Sequence, residues 1–111
     1  MQEGRFGRIV GISGQNAFLT GNITGSIRNA ALIIAAKNLA DSMAGTGVTI
    51  NTVSPANVVE RPSQTIARGT SGQCRPDDVA HLVAFLLSPL SGAISGESIA
   101  VGHRVRGVVS L

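Results

Sequence analysis

The chain has 111 residues, of which 43% are hydrophobic and 14% charged, and a formal net charge of +3. This length predicts a single domain over residues 1–111 and excludes a two-domain enzyme with separate cofactor and substrate domains. The high apolar fraction excludes a disordered chain, and a single cysteine excludes both an internal disulfide and a thiolate zinc site.

Charge and targeting signals give few candidate partners. Eight of the nine basic residues are arginines scattered along the chain, and only three aromatic residues could stack on bases. We therefore expect no nucleic-acid partner. No run of about 18 apolar residues predicts a membrane span, and the first residues lack the apolar core of a secretory signal. The single Cys74 in a polar segment favours a cytoplasmic protein, and no residue spacing predicts a metal site.

The first predicted element is a strand from Arg8 to Ser13, a short β-branched run that Gly14 ends. Continuous apolarity over so few residues is typical of a buried parallel strand. The segment from Ser26 to Ala44 predicts the longest helix, since it is rich in Ala and Leu. Thr24 or Ser26 is expected to cap its N-terminus, and Gly45 to end it in a left-handed conformation.

The second half of the chain predicts a strand, a helix and a further strand. Val48 to Ser54 has the β-branched composition of a strand, and Pro55 ends it. The second helix begins with Pro76 at its first position, followed by two acidic residues in its first turn. Ser98 to Val101 is the last firm strand, and residues 106–111 are a candidate for one more. Residues 57–73 are expected to be irregular.

This alternating order predicts an α/β fold with a small parallel sheet of about three strands, two main helices and right-handed crossovers. The first strand is expected at an edge of the sheet unless another chain covers it. Polar residues occupy less than half of the surface of the helix from Ser26 to Ala44. A helix that is apolar nearly all round is covered on more than one side, so we expect a homodimer or higher oligomer through it.

Five segments carry a resemblance to a known family and occur in that family's order. They are GRIVGIS at 7–13, NAALIIAAKNLA at 29–40, GVTINTVSP at 47–55, RPDDVA with FLLS at 75–80 and 85–88, and ISGESIAV at 94–101. Together they resemble the C-terminal half of the short-chain dehydrogenase/reductase family. The resemblance implies a truncated domain, half of a Rossmann-like fold, that descends from NAD(P)-dependent oxidoreductases.

The positions of the family's catalytic residues depart from its pattern. The Tyr-x-x-x-Lys pair falls on Gly25 and Asn29, and the serine position falls on Gly14, one residue after Ser13. The family's nucleotide-binding Gly-rich half has no counterpart, since the early glycines precede the first strand. Because glycine cannot donate a proton and asparagine carries no charge, the resemblance implies a degenerate or fragmentary relative that is inactive alone.

The resemblance also assigns the cofactor side of the site. Pro55, Ala56, Asn57 and Val58 stand where the family lines its nicotinamide pocket. We expect no cofactor on the isolated chain, because the phosphate-binding half is missing, and NAD(P) is implied by the resemblance alone. A partner chain that supplies the missing half is one possibility. The family's substrate lid corresponds to the short segment from Pro62 to Gln73.

Ser13 is the one candidate catalytic residue. It ends the first strand within Gly-Ile-Ser-Gly-Gln, which approaches the G-x-S-x-G turn of hydrolases. A serine nucleophile needs a base, and His103 follows the last strand whereas His81 lies within the second helix. Two alternatives to an inactive dehydrogenase relative stay open: an oligomerisation module that pairs with dehydrogenase subunits, and a small serine hydrolase using Ser13 and His103.

Overall fold

The computed structural model describes residues 6–109, in which a three-stranded parallel sheet is flanked by two α-helices. The elements are β1 (Gly7–Ile12), α1 (Ile23–Ser42), β2 (Val48–Pro55), β3 (Asn57–Val58), β4 (Gln73–Cys74), α2 (Pro76–Leu87) and β5 (Ser98–Val101). The sheet order is β1-β2-β5, which places β1 at an edge as predicted. The predicted α/β class is therefore confirmed. Within the described range, no helix combines the length and apolarity needed to span a membrane.

Helix α1 begins three residues earlier than predicted. Its N-cap is Asn22, whose side-chain oxygen accepts a hydrogen bond from the backbone N–H of Gly25 at 2.9 Å. The predicted caps Thr24 and Ser26 therefore lie inside the first turns, and the Ser26 hydroxyl donates to the carbonyls of the preceding segment instead. The helix ends at Ser42 with Met43 as its C-cap, two residues before the predicted end at Ala44. Gly45 has the predicted left-handed conformation, with a φ of +79°, but it lies in the turn that follows the helix.

The two helices cover opposite faces of the sheet. Ala36 and Ala40 of α1 pack against Val48 and Ile50 of β2. Successive residues of a strand point to opposite faces, and in the register of the sheet Arg8 pairs with Thr49, so Arg8 points away from α1. Its guanidinium donates to the carbonyl oxygen of Ser88 at the end of α2, at 3.1 Å.

This arrangement corrects the expected handedness of the crossovers. Both connections, through α1 and through α2, step in the same direction across the order β1-β2-β5. Two such steps on opposite faces of a sheet have opposite hands. One of the two crossovers is therefore left-handed, which departs from the strong right-handed preference of parallel connections.

Strand β2 forms the centre of the fold and β1 its open edge. Seven of the eight residues of β2 are buried. Strand β1 pairs with β2 at six positions, yet Ile9 and Ile12 of β1 are 43% and 55% exposed. Strand β1 thus has a neighbouring strand along one edge only, and it leaves one isoleucine exposed on each face of the sheet.

The region expected to be irregular contains a second, two-stranded parallel pair. Asn57 pairs with Gln73, and Val58 pairs with Cys74. Cys74 is consequently a buried strand residue rather than a loop residue. The candidate strand at 106–111 does not form in its described part, because its first residues bond to the 66–72 loop, and residues 110 and 111 lie outside the described range.

Candidate functional site

A cleft of about 310 Å³ opens where the carboxyl ends of β1 and β2 meet. In open parallel sheets, ligands bind at this edge, because the loops that follow the strands converge there. The residues that line the cleft are Gly14, Gln15, Asn16, Leu19, Asn29, Pro55, Ala56, Asn57 and Ser71. None of these side chains is titratable near neutral pH, and four of them are primary amides. The cleft is therefore equipped to donate and accept hydrogen bonds without exchanging protons.

The three positions that correspond to the family's Ser, Tyr and Lys do come together beside this cleft. The Asn29 side-chain amide donates a hydrogen bond to the side-chain oxygen of Asn16. A Cβ built on Gly14 would lie 3.0 Å from the Asn29 amide nitrogen, and one built on Gly25 would lie 3.1 Å from that of Asn16. The Asn16 side chain thus reaches toward both glycine positions. Nothing in the sequence pattern singled out Asn16.

Ser13 performs a structural task in this arrangement. Its hydroxyl donates to the backbone carbonyl of Asn29 at 3.1 Å, and its backbone N–H donates to the carbonyl of Val53 at 2.8 Å. These two bonds join the end of β1 to α1 and β2. His103 is exposed, and no hydrogen bond between it and Ser13 occurs in the described part of the chain.

Gln15 is the most constrained polar side chain of the cleft and was also missed from the sequence. It is 5% exposed, and its side-chain amide donates to the backbone carbonyls of Ser54, Val101 and Gly102 at 3.1 to 3.4 Å. These carbonyls lie at or just beyond the carboxyl ends of β2 and β5. Its own side-chain oxygen is buried and has no hydrogen-bond partner among residues 6–109. Gln15 therefore joins the two strand ends that form the floor of the cleft.

Three of the four expected cofactor-side residues line the cleft. They are Pro55, Ala56 and Asn57, whereas Val58 is absent from the lining. The backbone N–H of Ala56 donates to the carbonyl of Val101 at 2.9 Å, which fixes this turn against β5. Val58 instead pairs with Cys74 in the two-stranded sheet.

The described residues do not fit a whole dinucleotide. A pyrophosphate binds at a helix N-terminus that follows a Gly-rich turn. Of the two α-helices within residues 6–109, α1 has the amide of Gly25 in its first turn capped by the Asn22 side chain. At α2, the backbone N–H of Arg75 is already bonded to the Asp78 carboxylate at 2.8 Å, whose negative charge repels phosphate.

The single cysteine is not activated as a nucleophile. Burial raises the pKa of the Cys74 thiol, and the nearby Asp78 carboxylate raises it further, so the thiolate that a reactive cysteine needs is disfavoured. Among the residues that the structure describes, no group of three or more His, Cys, Asp or Glu could hold a metal ion.

The fold is that of the short-chain dehydrogenase/reductase family, to which the chain belongs. The family model described as "Enoyl-(Acyl carrier protein) reductase" matches residues 1–103. The chain is 37% identical to the 3-oxoacyl-(acyl-carrier-protein) reductase FabG of Rickettsia conorii, over 91% of this chain and 47% of that protein. The chain thus spans about half the length of the curated relatives it matches, and it is a relative of oxidoreductases.

Solved structures give the same fold. A short-chain dehydrogenase/reductase from Serratia marcescens superposes with a TM-score of 0.69 and 26% identity, over 85% of this chain and 41% of that one. YwfH, described as an NADPH dependent reductase, gives a TM-score of 0.78 at 22% identity, over 97% of this chain and 50% of its own. At this identity the second likeness establishes the fold alone.

Proposed function

We propose that this chain is a non-catalytic member of the short-chain dehydrogenase/reductase family, which keeps the cleft as a binding surface but does not transfer protons. One observation carries this proposal. The positions of the family's Ser, Tyr and Lys are Gly14, Gly25 and Asn29, and an Asn16–Asn29 amide pair lies beside them. On this proposal, NAD(P) is the cofactor of the family from which the chain descends, and the isolated chain does not bind it.

The physical reason lies in the chemistry of amides. General acid–base catalysis needs a group that gains and loses a proton near the working pH, and it accelerates reactions by about 10²- to 10⁴-fold. A carboxamide stays neutral throughout this range, so neither Asn16 nor Asn29 can protonate a carbonyl oxygen or lower the pKa of a neighbouring group by its charge. Hydride transfer at this cleft would lack its proton donor.

The test supplies the N-terminal half that the relatives have and then the family's catalytic side chains. The N-terminal half of the Rickettsia conorii reductase is fused to this chain, and NADPH binding and NADPH oxidation with a β-keto ester are measured. We expect binding without oxidation. The combined substitution Gly14→Ser, Gly25→Tyr and Asn29→Lys should raise oxidation by about 100-fold or more.

A matched control separates added charge from restored chemistry. Asn38→Lys places the same charge on an exposed position of α1 and should leave the fusion inactive. Turnover by the unmodified fusion, at a rate close to that of the restored variant, would contradict the non-catalytic assignment.

The open edge of β1 supports a companion half as partner. Ile9 and Ile12 are exposed there, and the unpaired backbone groups of an edge strand readily accept a further strand. We propose that the nucleotide-binding half packs on this edge, whichever polypeptide carries it.

The chain is proposed to act as one domain over residues 1–111 in the cytoplasm, where the buried Cys74 stays reduced.

The second candidate function is an oligomerisation module, and the exposed side of α1 favours it. Ile23, Ile27 and Ile34 form an outer face on this helix and are 79%, 63% and 62% exposed. Three isoleucines on one helix face suit contact with another helix better than contact with water. We propose that this outer face joins two copies of the chain or joins this chain to dehydrogenase subunits. The face lies on the helix predicted at 26–44 and includes Ile23 in the first turn of α1.

Ester hydrolysis by Ser13 and His103 is the third candidate, and the hydrogen bond from Ser13 to Asn29 does not favour it. The Ser13 hydroxyl would have to leave the Asn29 carbonyl to act as a nucleophile. Hydrolysis of p-nitrophenyl acetate that Ser13→Ala abolishes would support this candidate. We expect no such activity.

A further inference from the structure

The segment that follows β5 runs antiparallel to the loop in front of β4. Three backbone hydrogen bonds join them: Gly72 donates to His103 at 2.7 Å, Arg106 donates to Thr70 at 2.9 Å, and Gly69 donates to Arg106 at 2.8 Å. As the residue number rises from 103 to 106, the number of its partner in the loop falls from 72 to 69, as in an antiparallel ladder. Residues 103–107 and the 66–72 loop thus hold each other.

Side chains and glycines tighten this contact. The Arg106 guanidinium donates to the carbonyl oxygen of Ile66 at 3.0 Å. A Cβ on Gly72 would lie 2.9 Å from the backbone nitrogen of His103, so only glycine allows the two backbones to approach this closely. Gly107 has a φ of +93°, and a Cβ there would lie 3.1 Å from the Arg68 guanidinium carbon.

The ladder bears directly on the cleft. Ser71 lies between Thr70 and Gly72, which both bond to the segment 103–107, and it forms part of the wall of the cleft. Loops at binding sites are usually among the least stable parts of a fold. This loop has three backbone hydrogen bonds to a segment that is distant in sequence, and these bonds restrict where Ser71 can lie.

We propose that residues 103–107 form a latch that positions the 66–72 loop, so that the wall of the cleft at Ser71 is fixed while the latch is closed and moves away when it opens. The latch is the positioning element, and the loop is the part that moves. This role depends on backbone pairing and on Gly72, and it holds whether or not the cleft carries out chemistry.

Amide hydrogen exchange, followed by NMR, tests the latch in the full chain and in two truncated forms. Removing residues 103–111 deletes the ladder, and removing residues 108–111 is the matched control that keeps it. We expect exchange at Gly69 and Gly72 to accelerate by about tenfold or more in the first form and to stay unchanged in the second. Cleavage by trypsin after Arg68 should accelerate in parallel, while the amides of β2 keep their protection.

A point substitution tests the same latch without truncation. Gly72→Ala places a methyl group against the His103 backbone, which no side-chain rotation can relieve, and should accelerate exchange at Gly69. Gly92→Ala is the control, because its Cβ would meet the flexible end of Arg8 at 3.3 Å and would be in ordinary van der Waals contact with the carbonyl oxygen of Pro89 at 3.7 Å. Unchanged exchange at Gly69 in Gly72→Ala overturns the latch. Equal loss of protection in β2 also overturns it, since the tail would then belong to the core.

Discussion

Strands β1 and β2 are alike in sequence and differ in what covers them. Both are short, rich in β-branched residues and paired with each other in parallel. Strand β2 has a neighbour on each side and a helix on each face, and almost all of it is buried. Strand β1 has one neighbour and leaves Ile9 and Ile12 in contact with solvent. Burial here is set by the neighbours that a strand has, and an apolar strand without them marks a surface available for association.

The two sides of α1 repeat this difference within one helix. Its inner side buries the small residues Ala36 and Ala40 against β2, which brings the helix close to the sheet. Its outer face carries the large isoleucines. The interior therefore stabilises the fold, whereas the periphery is suited to binding another segment or chain. The predictions that follow test this division, beginning with the interior.

The largest effect is expected at Leu86, next to Leu87 in α2. Leu86 is fully buried and Leu87 is 47% exposed, so the pair compares interior with periphery at adjacent positions. Leu86→Ala should lower the free energy of unfolding by about 2–5 kcal/mol, because it removes buried apolar surface and leaves a cavity. Leu87→Ala should cost far less. Urea denaturation measures both, and equal losses would show that the division of α2 is wrong.

The next effect concerns Asn51, a buried amide in β2. Its side chain donates to the carbonyl of Ile94 and accepts from the N–H of Glu97, each at 3.0 Å. Asn51→Ala leaves both backbone groups without a partner and should lower the free energy of unfolding by about 1–3 kcal/mol. Asn38→Ala, at an exposed amide of α1, is the control and should stay within about 0.5 kcal/mol of the unsubstituted chain. A smaller loss for Asn51→Ala than for the control would contradict this role.

At the periphery, substitutions should change association and leave the fold intact. The double substitution Ile27→Ser and Ile34→Ser removes two of the three isoleucines of the outer face. We expect the dissociation constant of the homodimer to rise by about tenfold or more, with an unchanged circular dichroism spectrum. Arg28→Ser, an exposed change on the same helix, should leave association as it is. Sedimentation velocity measures this, and an unsubstituted chain that is monomeric at every concentration would rule out the homodimer.

The smallest effect is a pH dependence at the start of α2. Hydrogen bonds from the Arg75 backbone N–H and guanidinium hold the pKa of Asp78 below its ordinary value of 3.8. The folded state therefore binds this proton less readily than the unfolded state, so the contribution to stability is present above pH 3.8 and is lost as the pH falls through the folded-state pKa. Asp78→Asn should flatten the fall in melting temperature below about pH 4, whereas Asp77→Asn should not. Identical curves for Asp78→Asn and the unsubstituted chain would contradict this assignment.

Local sequence signals were sufficient for the main elements of the fold. The strand Ser98–Val101 has the predicted bounds, and α2 begins at Pro76 as predicted, since proline at the first helical position is a signal within the helix itself. The start of α1 was misplaced because the expected caps Thr24 and Ser26 stand close to Asn22, whose side-chain oxygen accepts from Gly25 instead. Local preference cannot choose among such neighbours.

The parts that were missed depend on residues far apart in sequence. Strands β3 and β4 have two residues each and exist only because they pair with each other. Gln15 reaches carbonyls at Ser54 and Val101, and Asn16 meets Asn29 across a turn, so neither role leaves a periodic pattern. The family resemblance assigned Gly25 and Asn29 to catalytic positions, and Asn29 lines the cleft, but the resemblance had no position for the other amides of the cleft.

The left-handed crossover has a consequence for how so short a chain forms an interior. If both crossovers were right-handed, α1 and α2 would share one face of the sheet, and the other face of β2 would be open to water. With one helix on each face, two helices are enough to enclose the central strand. A chirality that parallel sheets ordinarily avoid thus lets residues 6–109 surround one strand on all sides.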